Sequence, residues 1–258
     1  MKKSLVIGAG LAVLAAAGMV FIARADAATV PVYHPTRLAH VGDARQLVVV
    51  TGSSKTSSYS TLRTYQKNAD GSWSARFSSM PARNGYRGWV LAASRVQDTG
   101  TSPQGTFRIT TAFGLKPNPG TKIPYRYADG NDYWVGDQRD PKTYNLVQPS
   151  ASARRTWRTT EAERLAAYPT QYEYSAVIDF NRPDPRTVSW NTTYSEYVTS
   201  RPVDVRRGSA IFLHINGAGS TAGCVSISRA NLIAVLKWLD PAQKPRIVMA
   251  PLSEIGTA

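Results

Sequence analysis

The chain has 258 residues, a formal net charge of +14 and one cysteine, so it forms no internal disulfide and its stability must come from packing. The charge favours anionic partners. No Lys/Arg-rich helix or nucleic-acid motif accompanies it, which argues against nucleic acid as the partner.

The N-terminus has the pattern of a leader. Residues 1–3 (MKK) are basic, residues 5–23 are almost entirely apolar, and a small-x-small site follows at residues 25–27. This pattern predicts a secretory signal peptide over residues 1–27. The apolar run is also long enough to span a bilayer, so an uncleaved membrane anchor is the alternative. Either arrangement places the rest of the chain outside the cytoplasm, secreted or associated with the cell wall.

Residues 28–45 have no sustained period and contain two prolines, so we interpret them as a linker that leads into one domain, residues 46–258. Along the domain, short apolar or alternating segments end at glycines or polar turns, which predicts strands. The predicted strands cover residues 46–52, 60–67, 72–77, 106–110, 132–136, 172–180, 210–215 and 246–250.

Two helices are predicted. Residues 160–168 start with Thr160, carry Glu163 three positions later in a capping-box pattern, and stop before a proline. Residues 229–240 follow Ser228, a possible N-cap, and place four apolar side chains on one face. Many short strands, 19 glycines, 16 prolines and one or two short helices predict a mainly β fold, a sandwich or a barrel.

The segment FLHINGAGSTAGCVSIS, residues 212–228, holds the single cysteine and one of the three histidines. In the predicted strand 210–215, alternation places His214 on the face opposite Ile211, Leu213 and Ile215. A glycine-rich loop then separates the strand from Cys224. Such a loop can turn tightly and return Cys224 to the strand end.

A thiol beside an imidazole suits nucleophilic catalysis, because the thiolate is the reactive form and His214 can take the proton. A backbone carbonyl in the turn at residues 215–217 is expected to orient the ring. The N–H groups of Gly223 and Cys224 are candidates for an oxyanion hole. The alternative is a buried spectator thiol and a core histidine. The glycine-rich loop, the exported setting and the absence of a disulfide partner favour catalysis.

Three further residues are candidates for substrate contacts, each with a structural alternative. Asn216 could contact substrate or simply form a turn, Thr221 could lie near the oxyanion site or close the loop, and Tyr133 could line a cleft or belong to the core. The other two histidines show no metal-ligand spacing with Cys, Asp or Glu, so no metal site is predicted.

These residues also carry a family resemblance. A strand ending in His214, a glycine-rich loop and the run Thr221, Gly223, Cys224 and Val225 match the [Ser/Thr]-x-Gly-Cys-apolar motif. Residues 102–107 (SPQGTF) match a second mark, Thr/Ser-Pro-x-Gly-x-Phe. Over roughly residues 46–251 the sequence resembles the L,D-transpeptidase catalytic domains of the YkuD type, especially their actinobacterial branch.

The resemblance implies a mixed-strand β sandwich that acts on peptidoglycan stem peptides without a metal or cofactor. The Cys224 thiolate would attack the carbonyl of the third stem residue, and the terminal D-alanine would leave with a proton from His214. An amine of another stem would then resolve the thioester, giving a 3→3 cross-link. The basic surface would also suit anionic wall polymers. Inactivation by carbapenem acylation of the cysteine is implied as well.

Two departures from the family pattern bear on activity. Most members have His directly before Gly-Cys, where this chain has Ala222, so a second imidazole is missing. The interval from His214 to Cys224 is also shorter than in most members. Two alternatives to the transpeptidase therefore stay open. One is an L,D-carboxypeptidase that uses water as acceptor, and the other is a non-catalytic wall-binding module.

Overall fold

The computed structural model describes residues 30–258, and the signal peptide predicted for residues 1–27 lies outside this part of the chain. The strands between residues 30 and 258 are β1 (Gln46–Gly52), β2 (Tyr59–Lys67), β3 (Trp73–Arg83), β4 (Trp89–Leu91), β5 (Ser102–Gly114), β6 (Tyr125–Tyr127), β7 (Tyr133–Val135), β8 (Val147–Gln148), β9 (Ala162–Arg164), β10 (Ser175–Ile178), β11 (Val188–Asn191), β12 (Glu196–Thr199), β13 (Phe212–Ile215), β14 (Val225–Ile227) and β15 (Arg246–Pro251). Each of the eight segments predicted as strands overlaps one of them.

The same part of the chain has one α-helix, α1 (Arg229–Trp238), which does not have the length that a bilayer crossing requires. Short 3-10 helices lie at Pro35–Arg37, Ala92–Ser94, Thr159–Glu161, Leu165–Ala167, Pro185–Thr187, Pro241–Gln243 and Ile255–Thr257.

Ten strands of mixed direction form the main sheet. Its hydrogen-bonded order is β10-β13-β14-β3-β2-β1-β15-β5, and β5 also pairs with β10, so the sheet closes on itself. β4 and β6 add to it by parallel pairing with β5. The pairs β1–β15 and β13–β14 are parallel, and the remaining pairs in the closed path are antiparallel. The mixed-strand, mainly β fold predicted from the sequence is confirmed.

The closed sheet encloses the main core. β1 is buried on both faces, which explains its uninterrupted apolar run: Val48 and Val50 point into this core, and Leu47 and Val49 point into a second, smaller cluster.

Helix α1 packs its apolar face against this core. Leu232, Val235 and Leu236 are fully buried there, and each such side chain contributes about 1.5–3 kcal/mol. The hydroxyl of Ser228 caps the helix by accepting from the N–H of Asn231 at 3.4 Å. The second predicted helix is therefore confirmed, with its end at Trp238.

The first predicted helix, residues 160–168, is wrong. The segment forms a 3-10 turn, the short strand β9 and a second 3-10 turn, because β9 pairs with β7 in a three-stranded sheet of order β8-β7-β9. Glu163 does not cap the turn at Thr160, since its carboxylate accepts a hydrogen bond from Tyr172. A nine-residue helix is marginal by itself, so strand pairing decides the outcome.

The predicted linker, residues 28–45, contributes to the domain in its described part. Leu38 and Ala44 are buried in the smaller cluster with Leu47, Val49 and Ile255. The packed domain therefore extends N-terminal to residue 46. Two apolar side chains without a regular period were too weak a pattern to indicate this packing.

Candidate functional site

The candidate site lies where two parallel strands of the closed sheet run side by side. In the register of the β13–β14 pair, Leu213 lies opposite Val225. Cys224, the residue just before β14, therefore lies beside Phe212. The aliphatic side chains of β13 point into the main core. His214 lies on the opposite face, as the alternation in the sequence predicted.

Cys224 is held as a buried thiol. Its Sγ accepts a hydrogen bond from the N–H of Phe212 at 3.3 Å and donates one to the carbonyl of Ala210 at 3.2 Å. Burial raises the pKa of the thiol to about 12, and the charge of Glu163 adds to this rise. The Phe212 N–H and the charge of Arg95 act in the opposite direction. The resting side chain is therefore the neutral thiol.

His214 is fixed by the backbone of its own strand end. Its Nδ1 lies 2.8 Å from the carbonyl oxygen of Ile215, and because a carbonyl only accepts, the proton is on Nδ1. This is the orienting carbonyl that the sequence predicted. Nε2 then carries the free lone pair of a neutral ring. Burial lowers the pKa of His214 to about 4, which keeps the ring neutral at physiological pH.

Both side chains open onto one cleft of about 710 Å³. Its walls come from the glycine-rich loop at residues 217–222, from β9 and from the segment that holds Tyr172. Among the described residues no hydrogen bond joins Sγ to the imidazole, because the thiol proton is directed to Ala210. The site thus brings a neutral base and a neutral thiol to one cleft without joining them as an ion pair.

The loop before Cys224 requires glycine at one position. Gly223 has a φ of +144°, and a Cβ there would lie 2.8 Å from Nη2 of Arg95 and 2.9 Å from the carbonyl oxygen of Thr101. The backbone at Gly223 is therefore packed directly against a guanidinium, which no larger residue would permit.

The predicted oxyanion hole needs correction at Gly223. Its N–H donates to the hydroxyl of Thr221 at 3.1 Å, and that hydroxyl donates to the carbonyl of Cys224 at 2.6 Å. Thr221, predicted to contact substrate, lines the cleft but uses its hydroxyl to close the loop. Because Gly223 is engaged, only the Cys224 N–H of the predicted pair remains a candidate.

The other two predicted contact residues do not line the cleft. Alternation along β7 turns Tyr133 away from the cleft and onto Trp157, with ring centroids 5.4 Å apart, whereas Trp134 faces the cleft. Asn216 is a turn residue whose N–H donates to Ile227 at 2.8 Å. Its side-chain oxygen is buried and lacks a hydrogen-bond partner among residues 30–258.

Ser102 connects the second sequence motif to the cysteine loop, a role that sequence reasoning missed. Its buried hydroxyl donates to the carbonyl of Gly223 at 2.7 Å and accepts from the N–H of Gly85 at 2.9 Å. The motif SPQGTF was visible in the sequence, but nothing there indicated that its serine holds the loop before Cys224.

Arg95 is the buried cation of the site and was also missed. Only 4% of it is exposed, its Nε donates to Thr101 at 2.8 Å, and its Nη1 donates to Arg207 at 2.8 Å. Both acceptors are backbone carbonyls, and no described carboxylate lies within ion-pair distance of it. Burial lowers its pKa, and the charge of Cys224 opposes that shift. A single arginine far upstream carries no sequence pattern, so no motif could have revealed it.

An acid and a phenol complete the cleft wall. The carboxylate of Glu163 accepts a hydrogen bond from Tyr172, whose ring packs edge-on against His214 with centroids 5.7 Å apart. Burial raises the pKa of Glu163 to about 7. The helix prediction for residues 160–168 hid this placement, since a helix would have used Glu163 as a cap.

Residues 30–258 contain no cluster of three His, Cys, Asp or Glu side chains arranged to hold a metal ion. A family model described as L,D-transpeptidase catalytic domain matches residues 44–248 of the chain. No curated protein and no solved structure matches the chain significantly.

Proposed function

Because the chain belongs to the family of L,D-transpeptidase catalytic domains, we propose that it is an exported peptidoglycan transpeptidase that forms 3→3 cross-links through a thioester on Cys224. The observation that supports this most is the shared cleft of Cys224 and His214, with Nδ1 of the histidine held by the Ile215 carbonyl. That hydrogen bond leaves Nε2 free to accept a proton.

In the proposed acylation step, Cys224 attacks the carbonyl of the third stem residue as His214 takes the thiol proton. The neutral states of both groups favour proton transfer during the attack over a preformed ion pair. The thiol must first leave its hydrogen bond to the Ala210 carbonyl. The Phe212 N–H and the charge of Arg95 then stabilise the developing thiolate.

The negative charge on the tetrahedral intermediate falls next to the Cys224 N–H. The terminal D-alanine leaves with the proton held on His214, and a thioester remains on Cys224. In the second half-reaction the side-chain amine of another stem attacks the thioester carbonyl, a C–N bond forms and the C–S bond breaks. No metal or cofactor takes part in these steps.

The basic composition and the predicted leader fit this proposal. The excess of basic over acidic residues would hold the protein near anionic wall polymers by long-range attraction. Export of residues 28–258 would deliver the cleft to its stem-peptide substrate.

Two other functions share the same residues. A carboxypeptidase would use water in place of the amine, and Ala222 at the exposed rim of the cleft removes an imidazole that could otherwise contact an acceptor. A non-catalytic wall-binding module is favoured by the thiol that is hydrogen-bonded to the backbone and not to His214.

Acylation by a carbapenem tests the proposal. Intact mass of the purified protein after incubation should show one adduct, which disappears in Cys224→Ala and forms much more slowly in His214→Ala. Product analysis with a stem tetrapeptide should then give cross-linked dimers. Shortened monomers alone would identify the carboxypeptidase, and an unmodified wild-type protein would identify the binding module.

A further inference from the structure

Among the described residues, Glu163 differs from the buried aspartates of the domain because it has no ion pair and because it lines the cleft. Glu196 is also buried without an ion pair in this part of the chain, but it accepts hydrogen bonds from Thr156 and does not line the cleft. Asp132, Asp137 and Asp179 are each joined to an arginine, at 3.0 Å for Asp179 and Arg182. Glu163 has no ion pair with any described residue, although the chain has 31 Lys and Arg. Its hydrogen bond comes from the phenol of Tyr172.

The position of this carboxyl is unfavourable for the first half-reaction. Glu163 lines the same cleft as Cys224 and His214, and its negative charge opposes formation of the thiolate. A carboxylate at this place therefore needs a function that offsets the effect on Cys224. The second half-reaction provides one, because its substrate arrives as a cation.

The acceptor of a transpeptidase is a side-chain amine, and such an amine is an ammonium ion at neutral pH. An ammonium cannot attack a thioester until it loses a proton. A carboxylate inside the cleft would attract the ammonium and accept that proton. The titratable groups with which Glu163 interacts, Tyr172, Tyr168 and Cys224, all have raised pKa values and are neutral at pH 7, so none of them competes with the incoming cation.

We propose that Glu163 binds the ammonium group of the acceptor stem and removes its proton, and that Tyr172 is a positioning residue that holds the carboxylate in the cleft. This inference rests on the proposed transpeptidase function. It assigns the two half-reactions to different bases, with His214 serving the thiol and Glu163 serving the acceptor.

The proton balance of the second half-reaction is then complete. The ammonium gives one proton to the Glu163 carboxylate, and the resulting amine attacks the thioester carbonyl. The new C–N bond forms and the C–S bond breaks. The second proton of the attacking nitrogen passes to Nε2 of His214 and from there to the sulfur of Cys224. Glu163 finally releases its proton to solvent.

The test compares Glu163→Gln with the wild type in two separate measurements. The first is the rate of carbapenem adduct formation, which reports on the first half-reaction alone. The second is the ratio of cross-linked dimer to hydrolysed tripeptide formed from a stem tetrapeptide whose third residue carries a side-chain amine. We expect adduct formation to be unchanged or faster, because a negative charge near the thiol is removed. The dimer-to-tripeptide ratio should fall by about 10²-fold.

Glu161→Gln is the matched control. It removes a carboxylate two residues away that already has a partner, Arg158 at 3.5 Å, and it should leave the product ratio unchanged. Tyr172→Phe should lower the ratio less than Glu163→Gln and should raise the KM for the acceptor more than it lowers kcat.

Each outcome decides one question. A wild-type ratio in Glu163→Gln overturns the inference, and so does an equal fall in adduct formation and product ratio, which would indicate a structural role. If Glu161→Gln lowered the product ratio as much as Glu163→Gln, general charge attraction and not a specific contact would explain the effect. That result would also overturn the inference. Absence of an adduct in the wild type would instead refute the proposed function, independently of Glu163.

Discussion

Replacing Ser102 by alanine tests how the cysteine loop is held. The hydroxyl of Ser102 is fully buried and joins two backbone groups, the N–H of Gly85 at 2.9 Å and the carbonyl of Gly223 at 2.7 Å. Both glycines are themselves buried, so water cannot take the place of the lost hydroxyl. Ser102→Ala therefore leaves a donor and an acceptor without partners in the interior.

The expected loss follows from these two groups. A buried polar group without a hydrogen bond costs about 1–3 kcal/mol, so the two groups left by Ser102→Ala should together lower the free energy of unfolding by about 2–6 kcal/mol. Domains of this kind have total stabilities of about 5–15 kcal/mol, and a loss of this size is readily measured.

Ser226→Ala is the matched control. Ser226 is equally buried, but its hydroxyl has no hydrogen-bond partner within the described chain, so its removal should change the free energy of unfolding by less than about 1 kcal/mol. Urea unfolding at pH 7, followed by tryptophan fluorescence, measures both variants, and unchanged m-values confirm that the comparison is valid. Equal losses in the two variants would refute the reasoning.

Two further predictions concern the same cleft. Gly223→Ala should lower the free energy of unfolding by about 1–3 kcal/mol and slow carbapenem acylation, because its Cβ would meet Arg95 and Thr101 at a positive φ. Gly219→Ala is the control for Gly223→Ala in urea unfolding, because a Cβ at residue 219 meets nothing within 4 Å. Equal stability of the two variants would contradict the predicted clash at Gly223. The raised pKa of Glu163, about 7 against an ordinary 4.5, means that this carboxyl stabilises the fold below pH 4.5 and that the contribution is lost as the pH rises through 7. The stability of Glu163→Gln relative to the wild type should therefore increase between pH 4.5 and 8, by at most about 3 kcal/mol. Melting curves of both proteins at a series of pH values measure this difference. A difference that does not change with pH would contradict the prediction.

The sequence predicted those features that depend on short-range pattern. Alternation in residues 210–215 assigned His214 to the correct face, and the turn after the strand indicated the Ile215 carbonyl as its partner. The capped, one-sided apolar pattern of residues 229–240 predicted α1. In these segments the local preference and the tertiary packing favour the same structure.

The features that depend on distant partners could not be predicted. Residues 160–168 carry a helical pattern that pairing with β7 overrides, and this pairing brings Glu163 into the cleft. Ser102 reaches the cysteine loop from a remote part of the chain by a hydrogen bond to the Gly223 carbonyl. Arg95 packs against Gly223 while it donates to the carbonyls of Thr101 and Arg207, and such backbone contacts have no sequence signature.

The hydrogen bond from Cys224 to the Ala210 carbonyl has a consequence for the chemical durability of the protein. Peroxides oxidise thiolates to sulfenic and sulfinic acids, whereas protonated sulfur reacts slowly. The Cys224 sulfur keeps its proton and donates it in a hydrogen bond to the Ala210 carbonyl, and only 9% of the residue is exposed, so the free protein should react slowly with peroxides. A peptide that enters the cleft and displaces the hydrogen bond to Ala210 would free the thiol for deprotonation. The reactive thiolate would then form only when a substrate is present.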